Sequence, residues 1–384
     1  MLKYFIKVII RNCLKFFWIF PVNPLKICFQ SFSGSQPTCN PLYIYKYLST
    51  IHPEYKYVWL VNKIPANKMD NVLFVKKYTF RWFYEILTSK VIITNNEFYS
   101  YIPLKEKTIL VETWHGGGAY KKVGTVFEAK NKNGDEYKSL VYYAKHLTYY
   151  ISSCEKFTQI MSESTLVDKT KFLPIGMPRN DIFFDSKRTE ETNTKIREQL
   201  GLKKDDYIVL YAPTYRGEIR RPEFDIDIDI ENLKQALSEK IKRNIIVLFR
   251  GHQLLKAHNH FSDFDRDVSD YPVMQELLCA TDMLITDYSS SMWDFSFLNR
   301  PCFLFAPDFD DYLNNRGFYT DPYSWGFPIC RTNEELKEKI LSFDKEKYIL
   351  AIQKHHEDLG SYENGTATKQ IADLIVKKIK NDRK

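Results

Sequence analysis

The chain has 384 residues, 44% of them hydrophobic, which suggests two or three domains with full cores and argues against a disordered chain. Its seven cysteines are scattered and never in CxxC spacing, which indicates reduced thiols in the cytoplasm rather than a disulfide scaffold or a structural zinc site. The net charge is +7, yet residues 1–53 carry six basic residues and no acid. This asymmetry indicates that the basic N-terminus meets an anionic surface. A nucleic-acid binder would more often spread its basic residues over a folded face, so no nucleic-acid partner is expected.

The first 20 residues are apolar and aromatic except for regularly spaced cations and one asparagine. Lys3, Lys7, Arg11 and Lys15 would form one stripe on a helix, which Pro21 ends. No apolar run reaches spanning length, and no signal-peptide cleavage site follows. We expect an amphipathic helix lying on the anionic inner leaflet of the membrane. The alternative is a basic-faced helix that docks on the protein itself.

The rest of the chain alternates strand and helix patterns, which predicts an α/β fold with parallel sheets. Helices are expected at 78–89, 231–243 and near 273–279, and residues 184–206 are polar enough to end a first domain. The region 346–380 predicts two helices separated by Gly360 and Gly365. Strand patterns lie at 56–62, 71–75, 91–94, 148–153, 171–176 and 283–285, and within 207–217 and 245–252. A further strand opens the segment 108–124 and runs into a turn that contains His115.

Polar clusters follow five of these strands, where ligands of open α/β sheets bind. The clusters are His115, Arg179 with Asp181, Thr214 with Arg216, Arg250 with His252, and the serines 289–291. His115 precedes a run of three glycines and could accept a proton from an alcohol, or could merely end a strand. A guanidinium beside an imidazole in RGH suits a pyrophosphate, and a surface turn is the alternative.

The stretch DMLITDYSSSMWDF leads from a strand through three serines into a helix. Ser289 and Ser290 could hold a phosphate at the helix N-terminus. The alternative is a capping box made by Ser291 and Asp294. Downstream, Arg316 precedes a glycine and could clamp an anion or form a salt bridge.

Several catalytic classes find no support in the sequence. It has no Walker loop, GxGxxG, GxSxG or HExxH motif. His252, His258 and His260 lack a completing ligand, and the aspartates at 225–229 fit simple alternation, so neither a metal nor a cofactor is expected.

Taken together, the motifs resemble the CDP-glycerol glycerophosphotransferase family of teichoic acid synthesis, including its ribitol and capsule relatives. The motifs are WHGGG…KKVG, GMPRND, YAPTYRG, RGH, DMLITDYSSSMWDF, RPCFLF, RGFYTDP and ENGTATKQIADLI. They run in family order from about residue 110 to 375, whereas residues 1–100 match only in general character.

The resemblance implies a GT-B-like fold, with two Rossmann-like domains facing a cleft. We expect a membrane helix at 1–22, an acceptor-side domain at 23–200, a CDP-alditol-binding domain at 201–345, and C-terminal helices at 346–384 packing back across the domains. The implied activity moves a glycerol phosphate or ribitol phosphate unit from a CDP-alditol to a hydroxyl of a lipid-linked saccharide acceptor, releasing CMP. The enzyme would be peripheral, at the cytoplasmic face of the cell membrane.

By the same resemblance, His115 is the general base, and His252 and Arg316 contact the CDP pyrophosphate. The other expected substrate-binding residues are Gly116, Gly117, Arg179, Thr214, Arg216, Arg250, Asp287, Ser289 and Ser290. The family commonly has Thr-Pro after the first glycine of the WHG motif, and this chain has Gly117-Gly118, which implies a looser loop and a different substrate fit. A sugar-nucleotide glycosyltransferase of the same architecture is the alternative.

Overall fold

The computed structural model describes residues 2–66, 69, 71–214, 216–218, 221–223, 228–251 and 263–382. The chain forms two compact units. The first comprises Met1–Gly117, Lys122–Asp181 and Ser361–Lys384. The second comprises Gly118–Lys121 and Ile182–Gly360.

Up to residue 181 the chain alternates strands and helices as the sequence predicts. The elements are α1 (Leu2–Leu14), β1 (Asn23–Gln30), α2 (Cys39–Ile51), β2 (Lys56–Val61), β3 (Val72–Lys76), α3 (Phe80–Leu87), β4 (Ser89–Thr94), β5 (Ile109–Glu112), α4 (Asp135–His146), β6 (Tyr149–Ser152), α5 (Glu155–Thr165) and β7 (Phe172–Pro174). A 3-10 helix, Lys15–Ile19, follows α1.

The remainder repeats the alternation and ends in helices. The elements are α6 (Ser186–Gln199), β8 (Tyr207–Ala212), β9 (Arg216–Glu218), β10 (Arg221–Glu223), α7 (Ile230–Lys240), β11 (Ile245–Phe249), β12 (Arg266–Asp267), α8 (Met274–Ala280), β13 (Met283–Thr286), α9 (Ser291–Ser296), β14 (Cys302–Phe305), α10 (Phe309–Asn315), β15 (Ile329–Cys330), α11 (Asn333–Leu341), α12 (Lys345–Leu359) and α13 (Ala367–Asn381). The two predicted C-terminal helices are confirmed as α12 and α13.

The first unit is built on a seven-stranded parallel sheet of order β3-β2-β1-β4-β5-β6-β7. Its central strands are rich in Val and Ile and buried on both faces, as parallel strands covered by helices are. The strand order reverses between β1 and β4. The carboxyl ends of these two strands therefore border the crevice where open α/β sheets bind ligands.

One interior strand of this sheet, β1, is not among the strands predicted from the sequence. Its sequence NPLKICFQ carries a proline and a lysine, which obscure the strand pattern. Pro24 lies near the strand start, and Lys26 is buried with its Nζ 2.6 Å from Glu85 Oε2 of α3. A paired lysine can therefore occupy a central strand that a hydropathy pattern rejects.

The second unit is built on a six-stranded parallel sheet of order β12-β11-β8-β13-β14-β15, with a separate β9–β10 hairpin. Helices α7 and α11 pack Leu233, Leu237 and Leu336 against the strand side chains Val209 and Val247. The order reverses between β8 and β13, so this sheet also has a ligand crevice at the carboxyl ends of two adjacent strands.

Helix α1 turns its apolar side chains to solvent. Lys7 Nζ donates to Ser139 Oγ (2.8 Å), and the Arg11 guanidinium lies 4.0 Å over the Tyr142 ring. These two cations therefore contact the protein, as the docking alternative expected. The large apolar side chains exposed by at least 40% along this segment are Phe5, Ile6, Ile9, Ile10, Phe16, Trp18 and Ile19. Among the residues described, no helix is both long and apolar enough to cross a membrane.

Candidate active site

His115 follows β5 in the first unit and has a defined orientation. Its Nδ1 lies 2.7 Å from the backbone oxygen of Asn95, which can only accept, so Nδ1 donates. In the neutral ring Nε2 then carries the lone pair, as a base requires. The Trp114 ring stacks on the imidazole at 4.6 Å, and the Phe32 ring meets it edge-on at 5.4 Å.

The backbone before His115 is strained and is held by buried side chains. Trp114 has a φ of +53°, in the left-handed region that non-glycine residues avoid. Glu112 Oε1 accepts from Trp114 N (2.8 Å), and Asn40 Nδ2 donates to the Thr113 and Trp114 oxygens (3.0 Å each). Burial raises the pKa of Glu112 to about 8, so this carboxyl is mainly neutral at pH 7.

Arg179 joins the same network from the GMPRND segment. Its Nη1 donates to the His115 backbone oxygen (2.7 Å), and its backbone N–H donates to Asn40 Oδ1 (3.0 Å). The side chain is 4% exposed. The structure thus brings together His115, which follows β5, and Arg179, which follows β7. It also adds Asn40, which sequence reasoning missed because no motif surrounds it.

The residues on either side of Arg179 are held by the C-terminal part of the chain. Glu363 accepts from Met177 N (2.9 Å) through one oxygen and from Asn180 Nδ2 (3.0 Å) through the other. Asp181 accepts from the first two backbone N–H groups of α13, capping that helix. The closing motif ENGTATKQ therefore supports GMPRND within the first unit.

The glycine run after His115 divides between the two units. Gly116 and Gly117 are buried and end the first segment of the first unit. Gly118, in the second unit, has a φ of +65°, and a Cβ there would lie 2.4 Å from the Tyr120 ring. Only glycine fits at that third position.

In the second unit, the ends of β8 and β13 are joined at the strand-order reversal. Thr214 donates to Asp287 Oδ2 through its backbone N–H (2.9 Å) and its hydroxyl (2.8 Å). Asp287 is 1% exposed. The two predicted residues therefore meet, with the carboxylate fixing the turn that contains Thr214.

The serine turn differs from the predicted capping box. Ser289 Oγ accepts from the backbone N–H and the hydroxyl of Ser291 (3.2 and 3.0 Å). Asp294 accepts instead from Gln275 Nε2 (3.2 Å). The capping box of Ser291 with Asp294 is therefore wrong, because Asp294 is bound to another helix. Ser289 and Ser290 are half-buried, and α9 is only six residues long.

Two further predicted residues of the second unit, Arg250 and Arg316, lie within the described residues. Arg250 Nη1 donates to the Tyr271 backbone oxygen (2.7 Å). Arg316 is half-buried and follows α10, with its backbone N–H donating to the Tyr312 oxygen (3.0 Å). His252, His258, His260 and the side chain of Arg216 lie outside the described residues.

Comparison with solved structures supports the fold. A histidine-to-asparagine variant of the wall teichoic acid polymerase TagF, soaked with CDPG, superposes with a TM-score of 0.86 at 27% identity, covering 100% of both chains. UDP-GlcNAc 2-epimerase from Neisseria meningitidis, at 12% identity and a TM-score of 0.51 over 92% of this chain and 100% of that chain, shares the fold alone. The predicted α/β fold with parallel sheets is confirmed.

The chain covers nearly the full length of some sequence relatives and about half of another. The chain is 31% identical over 93% of its length to the teichoic acid poly(glycerol phosphate) polymerase of Bacillus subtilis strain 168, but spans only 49% of that protein. The teichoic acid poly(glycerol phosphate) polymerase of Bacillus spizizenii is 32% identical to this chain, with 93% of each chain covered. The teichoic acid glycerol-phosphate transferase of Staphylococcus aureus is 31% identical, with 92% of this chain and 94% of the relative covered.

A sequence profile described as CDP-glycerol:poly(glycerophosphate) glycerophosphotransferase matches residues 13–377, which includes every motif on which the resemblance was based. The predicted family and the predicted transferase class are confirmed. The chain belongs to the CDP-glycerol:poly(glycerophosphate) glycerophosphotransferase family.

Proposed function

We propose that this chain transfers a glycerol phosphate or ribitol phosphate unit from a CDP-alditol to a hydroxyl of a lipid-linked saccharide acceptor, in teichoic acid or capsular polymer synthesis. The acceptor oxygen attacks the β-phosphorus, the pyrophosphate P–O bond breaks, and CMP leaves. Such a transfer needs positioning and charge neutralisation rather than covalent help from the protein.

The observation that carries the proposal is the orientation of His115. Because Nδ1 donates to the Asn95 oxygen, Nε2 is the atom that accepts the proton of the attacking hydroxyl. Asn40 and Arg179 hydrogen-bond to the backbone oxygens of Trp114 and His115, which supports the position of His115 in this loop.

On the donor side, we propose that the second unit binds the CDP-alditol. Arg316 and His252 neutralise the pyrophosphate, and Ser289 and Ser290 donate to a phosphate. Asp287 acts by holding Thr214 at the strand-order reversal. Arg216 and Arg250 complete the set of donor-side cations, and Gly116 and Gly117 let the acceptor approach the backbone beside His115.

The test is the substitution His115→Ala in the full chain. We expect turnover, measured as CMP release with CDP-glycerol or CDP-ribitol and a lipid-linked acceptor, to fall by roughly 10²–10⁴, the usual contribution of a general base. Binding of the CDP-alditol should be nearly unchanged.

His146→Ala is a matched control, because His146 is a half-buried histidine of the same unit whose Nδ1 also lies 2.7 Å from a backbone oxygen. It should retain turnover. Near-normal turnover in His115→Ala would contradict the role of this residue. Release of a nucleoside diphosphate from a sugar nucleotide, instead of CMP, would favour the glycosyltransferase alternative.

We further propose a GT-B-like fold and a peripheral location at the cytoplasmic face of the membrane. Two parallel α/β sheets, each with a strand-order reversal, support the first. The exposed apolar side chains of α1 and the 3-10 helix support the second, since they suit the acyl boundary, with exposed Lys3 and Lys15 available to anionic headgroups. The division at residues 22, 200 and 345 stays a prediction.

A further inference from the structure

The turn that follows β1 lies at the strand-order reversal of the first unit, beside His115. We propose that Phe32 in this turn is the binding platform for a sugar ring of the acceptor, the ring next to the attacking hydroxyl. This proposal rests on the proposed function and names the acceptor class that the site takes.

Phe32 is an exposed aromatic residue placed against the proposed base. Its side chain is 42% exposed, and its ring lies 5.4 Å from the imidazole of His115 at an interplanar angle of 63°. Trp114 stacks on the same imidazole. An exposed apolar ring bordering a reactive group is typical of a surface that a ligand covers.

The position of Phe32 is held by the same residue that orients His115. The backbone N–H of Phe32 donates to Asn95 Oδ1 (2.8 Å), and the backbone oxygen of Asn95 accepts from His115 Nδ1 (2.7 Å). Asn95 is fully buried. Asn95 therefore anchors both the backbone of Phe32 and the imidazole of His115.

The backbone of the turn is strained at consecutive residues. Phe32 and Ser33 have φ values of +44° and +57°, in the left-handed region. The Ser33 oxygen is held by Lys77 Nζ (3.0 Å) and the Tyr99 hydroxyl (3.2 Å). Strained conformations persist where the surroundings determine them and recur at ligand sites.

The ligand class follows from the chemistry of the two groups. The face of an aromatic ring packs well on a contiguous C–H surface, which a pyranose ring offers and a short open-chain alditol phosphate does not. A sugar ring resting on Phe32 would present a hydroxyl toward His115 Nε2.

The experiment measures steady-state transfer from CDP-glycerol to two lipid-linked acceptors, one ending in a sugar hydroxyl and one ending in glycerol phosphate, with one substrate varied while the other is saturating. Phe32→Asn removes the ring, and asparagine tolerates the left-handed backbone. We expect this variant to raise KM for the sugar-ended acceptor about tenfold, the loss of one stacked ring. The turnover number and the KM for CDP-glycerol should stay within about twofold.

Phe32→Tyr, which keeps the ring, should restore the acceptor KM. Phe184→Asn is the matched control, because Phe184 is 43% exposed and packs on Phe297 in the second unit. It should change neither KM.

An unchanged acceptor KM in Phe32→Asn would overturn the proposal, as would an equal rise for both acceptors or failure of Phe32→Tyr to restore binding. A wild-type enzyme that uses only the glycerol phosphate-ended acceptor would overturn it while leaving the proposed function intact. Absence of CMP release with either acceptor, from CDP-glycerol and from CDP-ribitol alike, would contradict the proposed function itself.

Discussion

Asn40 shows how one buried amide can serve the proposed base without touching substrate. Its side chain hydrogen-bonds to Thr113, Trp114 and Arg179, among others, and these residues lie 73, 74 and 139 positions away in sequence. The left-handed Trp114 is held between this amide and Glu112. His115 and Arg179 could be predicted from motifs that follow strands. Asn40 could not, because its contacts exist only after the sheet has formed.

We predict that Asn40→Ala lowers turnover by roughly 10–100-fold with little change in the donor KM. Without the amide the Trp114 backbone can relax and displace His115. A small displacement of a catalytic group lowers the turnover number considerably. A double-mutant cycle checks the cause. In a His115→Ala background the substitution should have almost no further effect on turnover, because Asn40 acts through that ring.

Asn180→Ala is the control for stability, because Asn180 is also fully buried in the first unit and donates to the Glu363 carboxylate. Both variants should lower the thermal midpoint, since each leaves buried polar groups unpaired. Additive losses of turnover in the cycle, or an equal loss in Asn180→Ala, would reduce Asn40 to a structural residue.

At the scale of elements, α9 depends on α12 for its position. This short helix follows the serine turn, and its Ser296 hydroxyl lies 2.7 Å from His356 Nε2. The preceding residue on α12, His355, is 3% exposed with its Nε2 2.9 Å from the Tyr120 hydroxyl. Burial lowers the pKa of His355 to about 3 and that of His356 to about 4.

This histidine pair predicts acid sensitivity of the second unit. Both pKa values are lower in the folded chain than the ordinary 6.5, so protonation favours unfolding. The stabilisation is complete above about pH 6.5 and is lost progressively as the pH falls toward about 4 and then 3. At pH 5 the loss is on the order of 2 kcal/mol per histidine.

Thermal or urea unfolding at about pH 7.5 and 5 would measure the effect. Replacing both residues, as His355→Gln with His356→Gln, should make the chain less stable at neutral pH but flatten the pH dependence. An unchanged pH dependence in the double variant would assign the acid sensitivity to other groups.

Some strands of this fold can be predicted from sequence patterns, and others cannot. Continuous apolar runs such as those in β4, β8 and β11 were predicted because burial on both faces leaves no alternation to misread. The strand β1 was missed because Lys26 looks like a surface residue until Glu85 of α3 is placed beside it. Buried polar pairs form between distant segments, so a local pattern does not contain them.

At the scale of the whole molecule, the proposed membrane contact depends on which side of α1 faces outward. The sequence left two interpretations of the four cations open, contact with anionic lipid and docking on the protein itself. Lys7 and Arg11 are bound to the protein, and the exposed side chains of this segment are mostly apolar, with Lys3 and Lys15 beside them. Hydrophobic contact should therefore contribute more to membrane binding than charge.

We predict that Phe5→Glu with Ile9→Glu reduces sedimentation with lipid vesicles by roughly tenfold or more, since each side chain would otherwise bury apolar surface worth about 2 kcal/mol. Leu350→Glu is the control, because Leu350 is 65% exposed on α12 of the other unit. Unchanged sedimentation of the α1 variant, or an equal loss in the control, would contradict membrane contact through this face.

The interleaving of the two units has a consequence for the order of events during synthesis. Helix α13 and Glu363 belong to the first unit but leave the ribosome only after the whole second unit has been made. Asp181 and Asn180 cannot form their hydrogen bonds with α13 and Glu363 until these have been synthesised. The adjacent Arg179 donates to the backbone oxygen of His115. The strands of the first sheet can pair early, yet the loop that carries the base gains its full support last. A nascent chain would thus form its first sheet well before the loop of His115 has all of its supporting contacts.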